Sequence, residues 1–428
     1  MTSWSGRRLH FIGIGGAGMS GLALVCAELG ASVSGSDRAD SSYVERLRAA
    51  GIEPAIGHDA ANLPEGAEVV VSTAIDASNP ELALARERGV EPIHRGALLA
   101  ELCAEKRLIA VAGTHGKTTT TAMLVWALRA LGTDPAFFVG GEVPGLGPQG
   151  TTANAGWGGG EWVVAEADES DGSFLRLAPE IAVVTNVEMD HHSHWGSEAE
   201  LRAAFERFAA GARQVARPED STLEIDLAVP GRHNLLNARA AVSATVAAGF
   251  EADAVAAALA DFPGVKRRLE LKGSRRDTLI YDDYAHHPTE VRAALSALRE
   301  EDRGRLIALF QPHLYSRTKA FAEGFGAALS LADEAAVLDV YPAREEPVGE
   351  LAGVSGLQVA QAAAERMGGR RVLWLPEADS ATGALARLLD RNGALGIERQ
   401  VLVTIGAGDV YRIGEALIED GNREEARR

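Results

Sequence analysis

The sequence predicts an α/β protein of three domains, each built around a mostly parallel β-sheet. Short apolar runs alternate with glycine turns and with stretches that have the apolar spacing of helices, and this alternation recurs along the chain. The alternation is interrupted near residue 105 and again at 261–264, Asp-Phe-Pro-Gly. A length of 428 residues also exceeds what one hydrophobic core usually serves. We therefore expect domains at residues 1–105, 106–262 and 263–428.

The composition excludes several classes of protein. A net charge of −18 disfavours binding to nucleic acid and to anionic membrane surfaces. Two cysteines cannot form a disulfide framework, which favours a reducing compartment. The apolar run Leu9–Ala27 imitates a secretion signal, but five glycines interrupt it, and no other apolar run is long enough to span a membrane. We expect a cytoplasmic protein with neither nucleic-acid nor membrane partners.

The N-terminal domain begins with a nucleotide-type βαβ unit. A strand over residues 7–14 precedes the turn Gly15-Gly16-Ala17-Gly18-Met19-Ser20, a helix through Glu28 and a second strand over 31–34. Asp37 follows Gly18 at the distance at which such folds place an acid on a ribose. Further strands at 69–72 and 92–94 complete a small Rossmann-like sheet. On this evidence alone a nicotinamide oxidoreductase is one interpretation.

The central domain opens with a phosphate-binding loop. An apolar strand, Leu108–Ala112, leads into Gly113–Thr119, and helical spacing continues to Arg129. Backbone N–H groups at such a helix start can hold phosphate oxygens, Lys117 adds a point charge, and the Thr118 hydroxyl can reach magnesium. The loop is a shortened form of the common motif, and Lys117 is one of only five lysines in the chain. As a loop residue, Lys117 is expected to be exposed; a plain glycine turn is the alternative.

Polar segments follow the next two strands of this domain. The strand 162–165 ends in Glu166–Asp171, and the strand 181–185 ends in Asn186–His192. Because the carboxyl ends of parallel strands face the ligand crevice, these acids and imidazoles suggest a magnesium site. A solvated turn is the alternative for Asp168, Glu169 and Asp171. Residues 217–228 alternate between polar and apolar side chains and predict one more strand.

Two asparagines open the alanine-rich helix that follows Pro230. Asn234 and Asn237 are three residues apart and therefore share a helix face. An asparagine amide can pair with both N6 and N7 of adenine. A helix cap followed by a loop residue is the alternative interpretation.

The third domain repeats the alternating pattern and predicts a second Rossmann-like sheet. Its strands are expected at 278–281, 306–310, 335–339, 371–375 and 400–405. Polar clusters follow several of them, at Asp282–Pro288, Gln311–Arg317 and Gly406–Asp409.

Taken together, the motifs resemble those of the Mur ligase family. They occur in that family's order along the whole chain: the glycine run 13–21, the loop 113–119, and the segments 165–171, 231–237, 282–288 and 311–318. They are most similar to the branch that adds L-alanine to UDP-N-acetylmuramate. The resemblance implies an N-terminal UDP-substrate domain, a central P-loop ATPase domain and a C-terminal domain that helps to hold ATP and the amino acid. A monomer or a weak homodimer is expected.

The resemblance also implies the chemistry. ATP, with Mg²⁺, would phosphorylate the muramyl carboxylate to an acyl phosphate, and the amine of L-alanine would then displace phosphate. In the first step the protein contributes mainly positioning and charge neutralisation. The implied catalytic residues are Lys117, Glu166, His191 and Arg317. The implied magnesium ligands are Thr118, Glu166 and His191.

The remaining roles follow from the same resemblance. ATP would be bound by Gly113, Thr114, His115, Gly116, Lys117, Thr118, Thr119, Asn234, Asn237, Arg268, Asp283 and Tyr284. The UDP-substrate would be bound by Gly15, Gly16, Gly18, Met19, Ser20, Asp37, Ser72, His313 and Arg317. The amino acid would be bound by Tyr341, Arg344 and Asp409.

The sequence departs from the family pattern in two places. The span between His191 and Gly231 is short, and Leu314 stands where some relatives carry an arginine. Several Mur ligases use a carbamylated lysine near the second magnesium; no lysine lies between Lys117 and Lys266 here, which agrees with the resemblance because the alanine-adding branch lacks that lysine too. A ligase that recycles a whole murein peptide, and a catalytically silent nucleotide sensor, remain alternatives.

Overall fold

The computed structural model describes residues 4–190, 194–302, 304–343, 345–397 and 399–426. Within them the chain forms three mostly parallel sheets flanked by helices, which confirms the predicted α/β class. The sheets fall into two compact units. The first unit comprises residues 1–229 and 234–265, and the second comprises residues 230–233 and 266–428.

The first sheet is parallel throughout and has the order β3-β2-β1-β4-β5. Its strands are β1 Arg8–Ile12, β2 Ser32–Asp37, β3 Ala55–Ile56, β4 Glu68–Val71 and β5 Ile93–His94. Its helices are α1 Ala17–Glu28, α2 Ser42–Ala49, α3 Pro80–Glu87 and α4 Arg95–Cys103. The strand order reverses between β1 and β4, which opens a crevice at their carboxyl ends.

A buried carboxylate ties this sheet to α3. Glu81 is fully buried and accepts hydrogen bonds from the His10 ring (2.8 Å), the Ser36 hydroxyl (2.7 Å) and the Asn62 amide (3.2 Å). Burial by itself would raise the pKa of Glu81, but these hydrogen bonds lower it to about 2. The network fixes β1, β2 and α3 relative to one another.

The second sheet has the order β11-β10-β6-β9-β7-β8, and only the β7–β8 pair is antiparallel. Its strands are β6 Arg107–Ala112, β7 Ala136–Val143, β8 Ala153–Gly156, β9 Trp162–Glu166, β10 Ile181–Val184 and β11 Gln214–Ala216. Its helices are α5 Lys117–Ala130, α6 Glu198–Ala210, α7 Arg232–Ala247 and α8 Ala252–Leu259. Because β6 lies between β10 and β9, the segments that follow these three strands meet at one edge.

The first and second sheets share one apolar core. Val25 and Leu98 from helices of the first sheet belong to the same buried cluster as Phe174, Phe205 and Phe208 of the second. This continuous burial explains why two sheets form one compact unit. The predicted limit at residue 105 therefore separates two sheets and does not separate two cores.

The third sheet has the order β12-β13-β17-β14-β15-β16 and is parallel except for the β12–β13 hairpin. Its strands are β12 Glu270–Arg275, β13 Thr278–Asp283, β14 Arg305–Phe310, β15 Glu334–Leu338, β16 Val372–Leu375 and β17 Gln400–Ile405. Its helices are α9 Pro288–Glu301, α10 Tyr315–Leu329, α11 Gly356–Arg366, α12 Ala378–Ala394 and α13 Tyr411–Glu425.

The prediction of a strand over residues 217–228 is wrong. The ladder strand β11 ends at Ala216, and residues 221–228 belong to no helix or strand although their exposure alternates. Leu223 and Ile225 pack on the core of the second sheet, while the Arg239 side chain of α7 donates to the Leu223 carbonyl (2.9 Å). The alternation thus reflects an extended segment that packs on a helix and joins no sheet.

The apolar N-terminal run that resembles a signal is divided between β1, a glycine turn and the twelve-residue helix α1. Across the ranges described above, no helix combines the length and the hydropathy that crossing a bilayer requires.

Candidate active site

The loop between β6 and α5 is built to receive an anion. Gly116 adopts a φ of 81° just before α5, and no side chain caps the helix start, so backbone N–H groups point into the loop without intrahelical partners. A Cβ atom on Gly113 would overlap the Thr185 hydroxyl, and one on Gly116 would overlap the Asn237 side chain. Both glycines are therefore required for the packing of the loop as well as for its turn.

The segment that follows β10 holds this loop in place. The Asn186 side chain accepts from the His115 N–H and donates to the His115 carbonyl, both at 2.9 Å. The Thr114 hydroxyl bonds both the N–H and the carbonyl of Glu188 at 2.9 Å, and the Glu188 carboxylate lies 2.9 Å from the His115 ring. Asn186 and Glu188 lie in the polar segment predicted after this strand, but neither was assigned a role of its own. Their position at the end of the strand beside β6 was the available signal.

Lys117 was predicted to be exposed, but its side chain is only 13% exposed. Its ammonium donates to the Gly113 carbonyl (2.6 Å) and forms a 2.8 Å ion pair with Glu169, which is 1% exposed. Burial alone would lower the pKa of Lys117, but Glu169 and its neighbouring acids more than offset this and raise it. The lysine is therefore charged and held at the base of the loop.

Thr118 and Glu166 lie together at the loop and form a donor set that could hold a cation. The Thr118 hydroxyl donates to Glu166 (3.2 Å), whose other oxygen accepts from the Gly140 N–H (2.8 Å). A hydroxyl beside an oriented carboxylate is a donor set that suits Mg²⁺. A Cβ on Gly140 would lie 2.5 Å from the Glu166 carboxylate, so β7 must carry a glycine there. His191, the third predicted ligand, lies outside the described residues.

The acids after Glu166 do not form a solvated turn. Glu169 is buried against Lys117, and the Asp171 side chain is 8% exposed. The Arg95 guanidinium of α4 lies 2.5 Å from Asp168 and 3.2 Å from Asp171. Burial would raise the pKa of Asp168, but Arg95 and Lys117 together hold it well below its usual range. The alternative interpretation of these acids is therefore wrong.

Asn234 and Asn237 are both buried within α7, so the cap-and-loop alternative is wrong as well. The Asn237 amide lies 3.4 Å from the Asn234 carbonyl oxygen, and its side chain packs against Gly116 of the loop. Thr119 is buried on α5. The structure thus brings Asn237 to the phosphate loop, which the sequence spacing alone did not require.

The glycine turn of the first sheet also leads into a helix start without a side-chain cap, a geometry that suits an anion. The start of α1 at Gly16 has no side-chain cap, whereas Ser41, Asn79 and His94 cap the three other helices of this sheet. The Gly15 N–H donates to the Asp37 carboxylate at 2.8 Å, so the predicted acid does lie at the turn.

Other predicted residues of this turn have only backbone groups to offer. The side chains of Met19 and Ser20 are buried, and Ser20 donates to the Ala17 carbonyl. Ser72 follows β4 at the crevice, and its hydroxyl accepts from the Ala74 N–H at 3.3 Å.

In the second unit, two arginines lie close to the Tyr284 ring. The guanidinium carbons of Arg267 and Arg268 are 5.0 Å and 5.4 Å from the ring centroid. Asp283 accepts from the N–H groups of Leu269 and Ala285, both at 2.7 Å. Burial raises the pKa of Asp283 to about 7, although Arg268 opposes the shift. Arg267 was not predicted as a site residue from the sequence. Its guanidinium also donates to the Gly406 carbonyl.

A further group of predicted residues converges beyond β14 of the same unit. The rings of His313 and Tyr341 stack with centroids 5.8 Å apart, and backbone bonds from Leu314 and Tyr341 join their two segments. Asp409 is exposed, and the Gln311 amide lies 3.4 Å from its carboxylate.

Arg317 and Arg344 were also predicted for this group. Arg317, on the first turn of α10, is 8% exposed. Arg344 lies outside the described residues.

Comparisons with known proteins concern the whole chain and its fold. Three family models match the chain: the Mur ligase family catalytic domain over residues 8–107, the Mur ligase middle domain over 111–217 and the Mur ligase glutamate ligase domain over 267–408. A UDP-N-acetylmuramate–L-alanine ligase from Paenarthrobacter aurescens is 44% identical over 96% of each chain. One from Renibacterium salmoninarum is 43% identical over 96% of this chain and 95% of its own length.

A solved structure gives the same result. The UDP-N-acetylmuramate–alanine ligase of Thermotoga maritima superposes with a TM-score of 0.82 at 28% identity, covering 98% of this chain and 100% of that one. With relatives above 40% identity along nearly its whole length, the chain belongs to the Mur ligase family.

Proposed function

We propose that this chain is an ATP-dependent ligase that joins L-alanine to the carboxylate of UDP-N-acetylmuramate in peptidoglycan precursor synthesis. One observation carries the proposal: a charged lysine, an uncapped helix start and an oriented carboxylate converge on one loop. This constellation suits phosphoryl transfer from ATP. The names and nearly full-length similarity of the relatives support the choice of substrates.

The first step activates a poor electrophile. The loop N–H groups of 113–119 would hold the β- and γ-phosphates, and Lys117 would neutralise the charge that develops during transfer. Because Asn186 and Glu188 already brace the loop, little reorganisation is needed when ATP binds. The γ-phosphoryl group passes to a carboxylate oxygen, ADP leaves, and the acyl carbon becomes open to attack by an amine.

A magnesium ion fits this site and would neutralise phosphate charge. Thr118 and Glu166 would hold it together with His191. Glu166 is prepared for this role because Gly140 and Thr118 fix its orientation.

The remaining assignments concern the substrates. We place the UDP diphosphate at Gly15, Gly16 and Gly18, with Met19 and Ser20 contributing backbone groups and Asp37 and Ser72 nearby. Adenine and ribose would be bound by Asn234, Asn237, Arg268, Asp283 and Tyr284. The muramyl carboxylate would lie near His313 and Arg317, and L-alanine near Tyr341, Arg344 and Asp409.

Three further proposals complete the account. The functional domains extend over residues 1–105, 106–262 and 263–428. The protein works in the cytoplasm. It acts as a monomer or a weak homodimer.

The test is release of phosphate from ATP in the presence of UDP-N-acetylmuramate, with and without L-alanine. Release that depends on L-alanine supports the proposal. Release that depends instead on a murein tripeptide would indicate the recycling ligase, and no release with either would indicate a nucleotide sensor. Bound nicotinamide cofactor in the purified protein would restore the oxidoreductase interpretation.

A further inference from the structure

Arg95 occupies a position between two ligand sites of the first unit. It is the first residue of α4, it is only partly exposed, and it projects from the first sheet towards the acids that follow β9 in the second. One nitrogen, Nη2, contacts both Asp168 (2.5 Å) and Asp171 (3.2 Å). A guanidinium held through one nitrogen by two carboxylates has a fixed direction and keeps its other donors available.

The Nη1 end of the guanidinium lies beside the first turn of α1. A Cβ atom built on Gly18 would lie 3.6 Å from Arg95 Nη1. Neither Nη1 nor Nε makes a hydrogen bond to any residue that the structure describes. The Nη1 donor thus lies close to the start of α1, and that helix start has no side-chain cap.

The start of α4, unlike the start of α1, has a side-chain cap. His94 caps that helix by accepting from the Gly96 N–H at 3.1 Å, and its other ring nitrogen lies 3.4 Å from Asp171. The N-terminus of α4 is therefore already satisfied. What this helix presents to the crevice is the Arg95 side chain.

We propose that Arg95 is a binding residue for the diphosphate of the UDP-substrate, and that Asp168 and Asp171 position it. Arginine suits this role because its planar donors match two phosphate oxygens at once. The proposal rests on the proposed function. It adds that the acids following the ATP-site strand β9 also belong to the UDP site.

The experiment is direct binding of UDP, UMP and uridine, and of UDP-N-acetylmuramate, to the full-length protein by calorimetry. Loss of a charge-assisted hydrogen bond to phosphate should weaken binding by about 10- to 100-fold. Arg95→Gln should therefore weaken UDP and UDP-N-acetylmuramate by this factor and uridine hardly at all. The KM for ATP should change less than threefold.

Two further variants separate positioning from general packing. Asp171→Asn should weaken UDP binding by a smaller factor than Arg95→Gln, since it loosens the arginine without removing it. Arg176→Gln removes an exposed arginine close by and serves as the matched control. It should leave the preference for UDP over uridine unchanged.

The outcomes are distinguishable. If the wild-type protein binds neither UDP nor UDP-N-acetylmuramate, the proposed function itself fails. If the wild type prefers UDP over uridine and Arg95→Gln keeps that preference, Arg95 is only a clamp between the two sheets and the inference is overturned, even if the variant melts at a lower temperature.

Discussion

The ion pair between Lys117 and Glu169 gives the most informative prediction. Lys117→Met keeps the length of the side chain but leaves the buried Glu169 carboxylate without its cation. Breaking a buried pair by removing one partner costs about 3–5 kcal/mol. For a unit of this size, such a loss should lower the melting temperature on the order of 10 °C. Turnover should fall by at least about 10³-fold, because the transferring charge is no longer neutralised.

A double variant separates the two effects. In Lys117→Met with Glu169→Gln, no uncompensated charge remains buried, so most of the stability should return while turnover stays low. Lys117→Arg keeps a positive charge but replaces the compact ammonium with a planar guanidinium. Compared with Lys117→Met, it should therefore retain more of the stability than of the activity. Calorimetry and phosphate release measure both quantities on the same samples. Turnover of Lys117→Met within tenfold of wild type, or an unchanged melting temperature, would refute the reasoning.

Four more predictions follow from the structure. Glu166→Gln should raise the magnesium concentration needed for half-maximal activity more than it weakens ATP binding; an unchanged magnesium titration would make Glu166 a purely structural residue. Glu81→Gln should lower the free energy of unfolding at neutral pH by about 3 kcal/mol, since the pKa falls from 4.5 to about 2. The stability contributed by the Glu81 carboxylate is complete above pH 4.5 and is lost as the pH falls towards 2. A difference in unfolding free energy between wild type and Glu81→Gln that stays constant with pH would contradict this. Gly408→Ala should raise the KM for L-alanine about tenfold by loss of positioning, because a Cβ would lie 2.7 Å from the Tyr341 ring; Gly393→Ala, which meets open space, is the control, and equal KM values would exclude the effect. Activity should be indifferent to bicarbonate and to mild acid pretreatment, because no lysine that could be carbamylated lies between Lys117 and Lys266; reactivation by bicarbonate would show otherwise.

Local patterns predicted most of the fold. Apolar runs such as 108–112 and 181–184 became the buried strands β6 and β10, because parallel strands covered on both faces need continuous apolar side chains. The glycine turns before α1 and α5 were also predicted, since each stands between a strand and a helix. The segment 221–228 was misread because period-two exposure also arises where an extended chain lies on a helix, and a single sequence does not show whether a strand edge is nearby.

The site was predictable only where its residues adjoin a motif. Lys117, Thr118 and Glu166 lie at a loop or a strand end, and the spacing identified them. Glu169 and Arg95 depend on contacts between segments far apart in sequence, which bury one carboxylate and orient one guanidinium. No local pattern distinguishes such an acid from a solvated one, so the ion pair of Glu169 with Lys117 and the position of Arg95 emerged from the structure alone.

The central claim is that a carboxylate of the substrate is activated by phosphoryl transfer before the amine attacks. It is tested most directly with UDP-N-acetylmuramate whose carboxylate carries ¹⁸O. In the presence of ATP and L-alanine, the phosphate released should contain one ¹⁸O atom, because the oxygen that accepts the γ-phosphoryl group leaves with it. Released phosphate without ¹⁸O, accompanied by labelled amide product, would contradict the account.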